Sequence, residues 1–120
     1  MISGIGLDLV ETERIKKLRE RQARFPERVL SAGELAYYET LPEKRKTEFL
    51  AGRFAAKEAF AKARGTGIGS ELSFQDIEIM ADKLGKPHIV RPADQGEKVH
   101  LSITHTKAYA AAQVVIEVER

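Results

Sequence analysis

The spacing of apolar positions changes period twice along the chain. Residues 2–10, ISGIGLDLV, alternate Ile5, Leu7 and Leu9 with Gly4, Gly6 and Asp8, the period of a strand. They predict a buried strand, and glycines inside a strand mark close approach of another backbone or a ligand. From Glu11 or Thr12 to about Ala23 the period lengthens. Val10, Ile15 and Leu18 make a narrow apolar stripe, which predicts a helix. Ser31 to Glu34 reads as a capping box for a helix ending near Thr40. Thr40 to Glu43 reads as another, with Pro42 in the first turn of a long helix over 42–64. Phe49, Leu50, Phe54 and Phe60 give that helix bulk, while Ala51, Ala55, Ala56, Ala59 and Ala61 keep it thin. Gly65 stops it. Beyond Leu72 the period returns to two. Residues 74–79 alternate as a strand, 83–87 form a turn, and His88 to Val90 pair back as a hairpin. Val99, Leu101 and Ile103 face one way and His100, Ser102 and Thr104 the other, with His105-Thr106 at the tip. A last strand covers 108–118. Its consecutive Val114, Val115 and Ile116 predict cover on both faces. The fold class is α+β: one domain over 1–120, with the long helix packed against a mainly antiparallel sheet.

Composition narrows the functional classes. With 120 residues, 42% of them hydrophobic and 32% charged, the chain can bury a core without staples. It has no cysteine, hence neither a disulfide nor a thiolate site, which fits a reducing compartment. No apolar run reaches membrane-spanning length and no signal-peptide pattern follows Met1, so the expected location is cytoplasmic, with no membrane partner. The net charge of +2 does not mark a nucleic-acid binder. Its distribution says more. Residues 14–28 carry Arg14, Lys16, Lys17, Arg19, Arg21, Arg24 and Arg28 against only Glu20 and Glu27, followed by an exposed-looking Phe25-Pro26. This is either a solvated helix face or a dock for an acidic partner. Aromatic interleaving is too sparse to favour nucleic acid.

Candidate chemistry lies in three separated places. Asp8 puts a carboxylate inside an apolar strand, where it needs a partner, either a buried ion pair or cap, or a metal. FAAKEAFAK at 54–62 sets Lys57, Glu58 and Lys62 in an apolar helix, with Glu58 and Lys62 on one face. Such a pair is a surface salt bridge, or a holder of a metal ion and a phosphate. SITHT at 102–106 ends on His105. The glycine-rich 65–69, GTGIG, leaves a helix instead of following a strand, so it reads as a helix cap and link and not as a dinucleotide loop.

Taken together, these features resemble the holo-acyl-carrier-protein synthases, small bacterial members of the phosphopantetheinyl transferase superfamily. The family pattern, G-x-D and then W/F-x-x-K-E-x-x-x-K, is met by Gly6, Asp8, Phe54, Lys57, Glu58 and Lys62. The likeness continues through GIGLDLVE, Gly85-Lys86-Pro87 and SITHT. The resemblance implies the 4′-phosphopantetheinyl transferase fold and reaction, serving fatty acid biosynthesis. In that reaction the phosphopantetheine arm of coenzyme A moves to a serine of an apo acyl carrier protein, and adenosine 3′,5′-bisphosphate leaves. It implies Mg²⁺ (magnesium) on Asp8 and Glu58, with Asp8, Glu58, Lys62 and His105 catalytic. Coenzyme A would meet Lys62, Gly85, Lys86, Pro87, His105 and Thr106. An acidic carrier protein would meet Arg14, Arg21, Gln22, Arg24 and Phe25. The serine proton would pass to a water at the metal or to a carboxylate. A homotrimer with sites between subunits is also implied. The residue types suit this chemistry, because Mg²⁺ takes one or two carboxylates plus substrate phosphates. Two rivals are a non-enzymatic module binding an acidic partner or RNA, and a metal-dependent nucleotide phosphohydrolase.

Overall fold

The computed structural model describes residues 1–94 and 96–119; Gln95 and Arg120, inside the expected domain span, lie outside the described residues. Strand β1 (Ile2–Glu11) leads into α1 (Thr12–Arg21), α2 (Phe25–Val29), α3 (Ala32–Thr40) and the long α4 (Glu43–Arg64). A 3₁₀ turn at Phe74–Asp76 precedes β2 (Glu78–Ala81), β3 (Pro87–Arg91), β4 (Glu97–His105) and β5 (Tyr109–Val118). Strands β1, β5 and β4 form an antiparallel sheet in that order, while β2 and β3 make a separate hairpin. The fold is α+β, with the helices on one face of the sheet.

The register Asp8–Ala112–Ile103 and Val10–Ala110–His105 across the three strands defines that inner face. Helix α4 crosses it diagonally. Glu48 approaches His105, Gly52 lies against Ile103, and Ala59 and Ala63 lie against Gly6 and Gly4. At Gly6 a Cβ would fall on the Ala59 carbonyl oxygen, and at Gly4 on that of Ala63. The strand glycines therefore mark close approach of another backbone, one of the two readings that glycine inside a strand allowed.

This contact leaves β1 less buried than expected. Its glycines face inward, and strand alternation then turns Ile5, Leu7 and Leu9 outward, 63%, 62% and 64% exposed. The last strand is likewise not covered on both faces. Val114 and Ile116 are buried, but Val115 points outward beside Ile5 and is half-buried. An apolar stripe thus runs down the open face of the sheet.

Three further expectations are corrected. Phe25 is not exposed: it opens the short helix α2 and packs on Phe54 with ring centroids 6.2 Å apart. Residues 74–76 form a 3₁₀ turn in place of a strand, because Ser73 and Asp76 cap each other's backbone amides. Thr40 does not cap α4; its hydroxyl donates to the Tyr37 carbonyl, and Pro42 is the N-cap. The capping box at Ser31 and Glu34 does form, and Gly65 ends α4 at φ 85°.

One charged pair lies in the core. Lys57 is wholly buried, and its ammonium donates to Glu34 Oε1 at 2.6 Å and to the carbonyls of Val29 and Phe74 at 2.7 and 3.0 Å. Burial pushes the Lys57 pKa below the usual lysine value, and the Glu34 charge pulls it back up.

The glycine contacts set the first prediction. Gly6→Ala should cost roughly 3 kcal/mol or more, because backbone must move. Gly65→Ala meets nothing within 4 Å and should cost only the left-handed strain of about 1–2 kcal/mol. Chemical denaturation of the two variants checks the order.

Candidate active site

Close contact between α4 and β1 puts the end of the helix beside Asp8. Lys62 Nζ donates to Asp8 Oδ1 at 3.0 Å and to the Leu7 carbonyl at 3.1 Å. Glu58, one turn earlier on the same helix face, is half-buried and has no ion-pair partner among the described residues. Burial raises its pKa, the Asp8 charge raises it further, and Lys62 and Arg14 oppose them. The Arg14 guanidinium stands 5.8 Å over the Phe54 ring at this same corner. Two mutually repelling carboxylates with one ammonium beside them form an oxygen-rich site suited to a hard cation. Among the described residues no group of three or more His, Asp or Glu could hold a metal. A cation here would draw its remaining ligands from water or substrate.

The other side of α4 holds a cavity of about 570 Å³. Gly85 and Pro87 of the hairpin, His105 and Ile103 of β4, Glu34 and Tyr37 of α3, and Arg45, Glu48, Phe49, Gly52 and Arg53 of α4 line it. His105 Nε2 sits 3.4 Å from Glu48 Oε1. Arg53 stacks on Phe49 at 4.4 Å, and its buried Nε has no hydrogen-bond partner among the described residues. Burial lowers its pKa, with the Glu34 charge opposing. A half-buried guanidinium of this kind suits a phosphate. A second recess of about 630 Å³ shares Glu48 and includes Lys16, Lys44, Thr106 and Lys107. The Thr106 hydroxyl accepts from the amides of Ala108 and Tyr109, shaping the turn after β4.

The expected site residues therefore fall into two groups. Asp8, Glu58 and Lys62 stand at the β1 edge. Gly85, Pro87 and His105 stand at the β4 edge, with α4 between. Lys86 does not line the cavity, and Thr106 opens on the second recess. Arg45, Glu48 and Arg53 were missed. Their spacing on α4, with Arg45, Phe49 and Arg53 four apart, was the available signal. Of the carrier-docking group, Arg14, Arg21, Gln22 and Arg24 are exposed and Phe25 is buried. Arg24 lies 4.0 Å from Glu27, and Arg28 donates to Gln22 at 3.4 Å. Arg19 leaves the basic face to bind Tyr38, Thr47 and Glu43.

The sequence model of the 4′-phosphopantetheinyl transferase superfamily matches residues 4–116. This chain belongs to that superfamily. Among curated relatives, a holo-[acyl-carrier-protein] synthase of Bacillus subtilis is 64% identical over 98% of this chain and 97% of its own length. One from Listeria monocytogenes is 56% identical over 98% of this chain and 100% of its own. A crystal structure of the Bacillus anthracis synthase in complex with CoA (3′,5′-ADP) superposes with a TM-score of 0.91 at 50% identity, covering 99% of both chains. As a member of the superfamily the chain is a transferase.

The perturbed Glu58 carboxyl sets the second prediction. Its pKa in the folded protein lies above the ordinary 4.5. The folded state then binds more protons than the unfolded one, so this group's contribution to stability falls as pH rises through that window. Glu58→Gln should abolish turnover, yet raise Tm at neutral pH in metal-free buffer. The gain should vanish below pH 4.5. Thermal melts across pH, beside activity assays, check both halves.

Proposed function

We propose that this chain transfers the 4′-phosphopantetheine arm of coenzyme A to a serine of an apo acyl carrier protein. The P–O bond between the β-phosphoryl group and its bridging oxygen breaks, and a P–O bond to the serine oxygen forms. Adenosine 3′,5′-bisphosphate departs, and the serine proton is released. The observation that carries this reading is the corner where Lys62 binds Asp8 beside a half-buried Glu58 that has no ion-pair partner among the described residues.

Asp8 and Glu58 would hold Mg²⁺, which when bound offsets the charge of the pyrophosphate during transfer. Lys62 is exposed enough to exchange its bond to Asp8 for one to a phosphate oxygen. The cavity on the other side of α4 would take the nucleotide end of coenzyme A, with His105, Gly85 and Pro87 as walls. Arg53 and Arg45 would add cationic partners for its phosphates. Lys86 and Thr106 would act from the rims of this seat.

The exposed face of α1 supports a dock for an acidic carrier. Arg14 and Arg21 are seven residues apart and share a face. Arg14 also stands near enough to Glu58 to act on its charge. A carrier helix laid along α1 would thus bring its serine to the two carboxylates. Gln22 and Arg24 extend the surface, while Phe25 supports it from below.

The split between the two groups, with the open apolar stripe of Ile5, Leu7, Leu9 and Val115, supports a homotrimer. Apolar surface of this kind is what an obligate interface buries. In such an assembly the β1 edge of one copy completes the cavity of its neighbour.

Incubation with coenzyme A, Mg²⁺ and apo carrier should add one phosphopantetheine to the carrier, read by mass. Unmodified carrier would refute the reading. Arg21→Glu should raise the carrier KM about tenfold, leaving the coenzyme A KM unchanged.

A mixed assembly tests the shared site. Uniform Asp8→Asn and uniform His105→Ala assemblies should be inactive, and their co-assembly should recover part of the activity. No recovery would place each site within one copy.

A further inference from the structure

The β2–β3 hairpin supplies Ile79, Met80, Gly85 and Pro87 to the cavity, yet among the described residues no backbone ladder ties it to the main sheet. Its β2 strand is tied instead to the start of α3. The Ile79 amide donates to Glu34 Oε2 at 2.7 Å, and Ser31 Oγ donates to Glu78 Oε2 at 2.6 Å. Glu34 is itself 2% exposed. Its Oε1 accepts from the Ser31 amide at 2.7 Å and from Lys57 at 2.6 Å.

Lys57 cannot reach substrate, since it is wholly buried and its three donors are all engaged, and Glu34 borders the cavity with both oxygens already accepting from donors of this chain. A buried ion pair is a poor way to gain stability, because desolvation consumes most of the attraction. It is a good way to fix direction. One carboxylate here joins the α3 cap, the α4 ammonium and the first strand of the hairpin. Lys57 also holds Val29 and Phe74, so the segments entering α3 and leading into β2 are gripped by one point on α4. The next residue on α4 is Glu58.

We infer that the Lys57–Glu34 pair is a positioning unit that locks the hairpin wall of the cavity to the helix bearing Glu58. It sets how tightly coenzyme A is held by fixing the hairpin wall, not by a bond of its own to coenzyme A. The inference rests on the placement of coenzyme A in this cavity.

Glu34→Gln isolates the hairpin link. Glu34 accepts from donors on both oxygens, and an amide has only one oxygen. The oxygen stays with the ammonium, and the NH₂ group then faces the Ile79 N–H, donor against donor. Hydrogen exchange at the Ile79 amide should quicken, with the coenzyme A KM rising about tenfold for one lost buried bond. The kcat and the carrier KM should stay within about threefold. A merely structural defect would lower the active fraction and leave KM alone. Glu78→Ala removes the outer tie at a partly exposed position and serves if the first variant fails to fold. It should quicken the same amide and raise the coenzyme A KM about threefold. Unchanged exchange at Ile79 in the folded variants would overturn the lock. Quickened exchange with an unchanged coenzyme A KM would instead overturn the seat of coenzyme A in this cavity, and the inference with it.

Discussion

Contact between the β1 glycines and the carbonyls of Ala59 and Ala63 sets how deep α4 lies on the sheet. Most of the molecule follows from that depth. Only with the helix this close can Lys62 reach the Leu7 carbonyl and Asp8 at once. Only glycine leaves room for it, and strand alternation then sends every large side chain of the first half of β1 to the other face. The same constraint that builds the carboxylate corner therefore strips apolar cover from the inside and lays it on the outside.

Adjacent residues on α4 show how environment assigns roles. Lys57 and Glu58 both have pKa values shifted first of all by burial, in opposite directions because their charges are opposite. Lys57 points into the core and finds three acceptors within 3.0 Å. Glu58, about 100° around the helix, meets another carboxylate. A satisfied buried charge holds structure. A frustrated one stores a readiness to bind something positive.

The parts of the chain with a strong local period were legible in the sequence. Helices α1, α3 and α4, the 83–87 turn and the two long C-terminal strands all lie where spacing and caps put them. Parity was harder. The alternation of β1 was plain, but which half faced inward depended on a helix fifty residues away. Phe25 looked exposed because its neighbours are charged; its burial against Phe54 is a tertiary fact. Residues 74–76 alternate like a strand, yet the Ser73 and Asp76 side chains bend them into a turn. In the site, Asp8, Glu58 and Lys62 stood out as charges in apolar surroundings, but an ion pair explained them as well as a site did until the family motif joined them. Arg45, Glu48 and Arg53 did not stand out, since an amphipathic helix start looks like any solvated surface until a cavity appears beside it.

The glycine contact also limits how this chain can change. Where two side chains collide, a smaller partner opposite can relieve an enlargement, and such pairs drift together. At Gly4 and Gly6 the obstructing atoms are main-chain carbonyls, which no substitution on α4 removes. Ala59 and Ala63 could be trimmed to glycine and the collision would remain. Loss of either strand glycine should therefore have no local suppressor, and a revertant screen should return only glycine there.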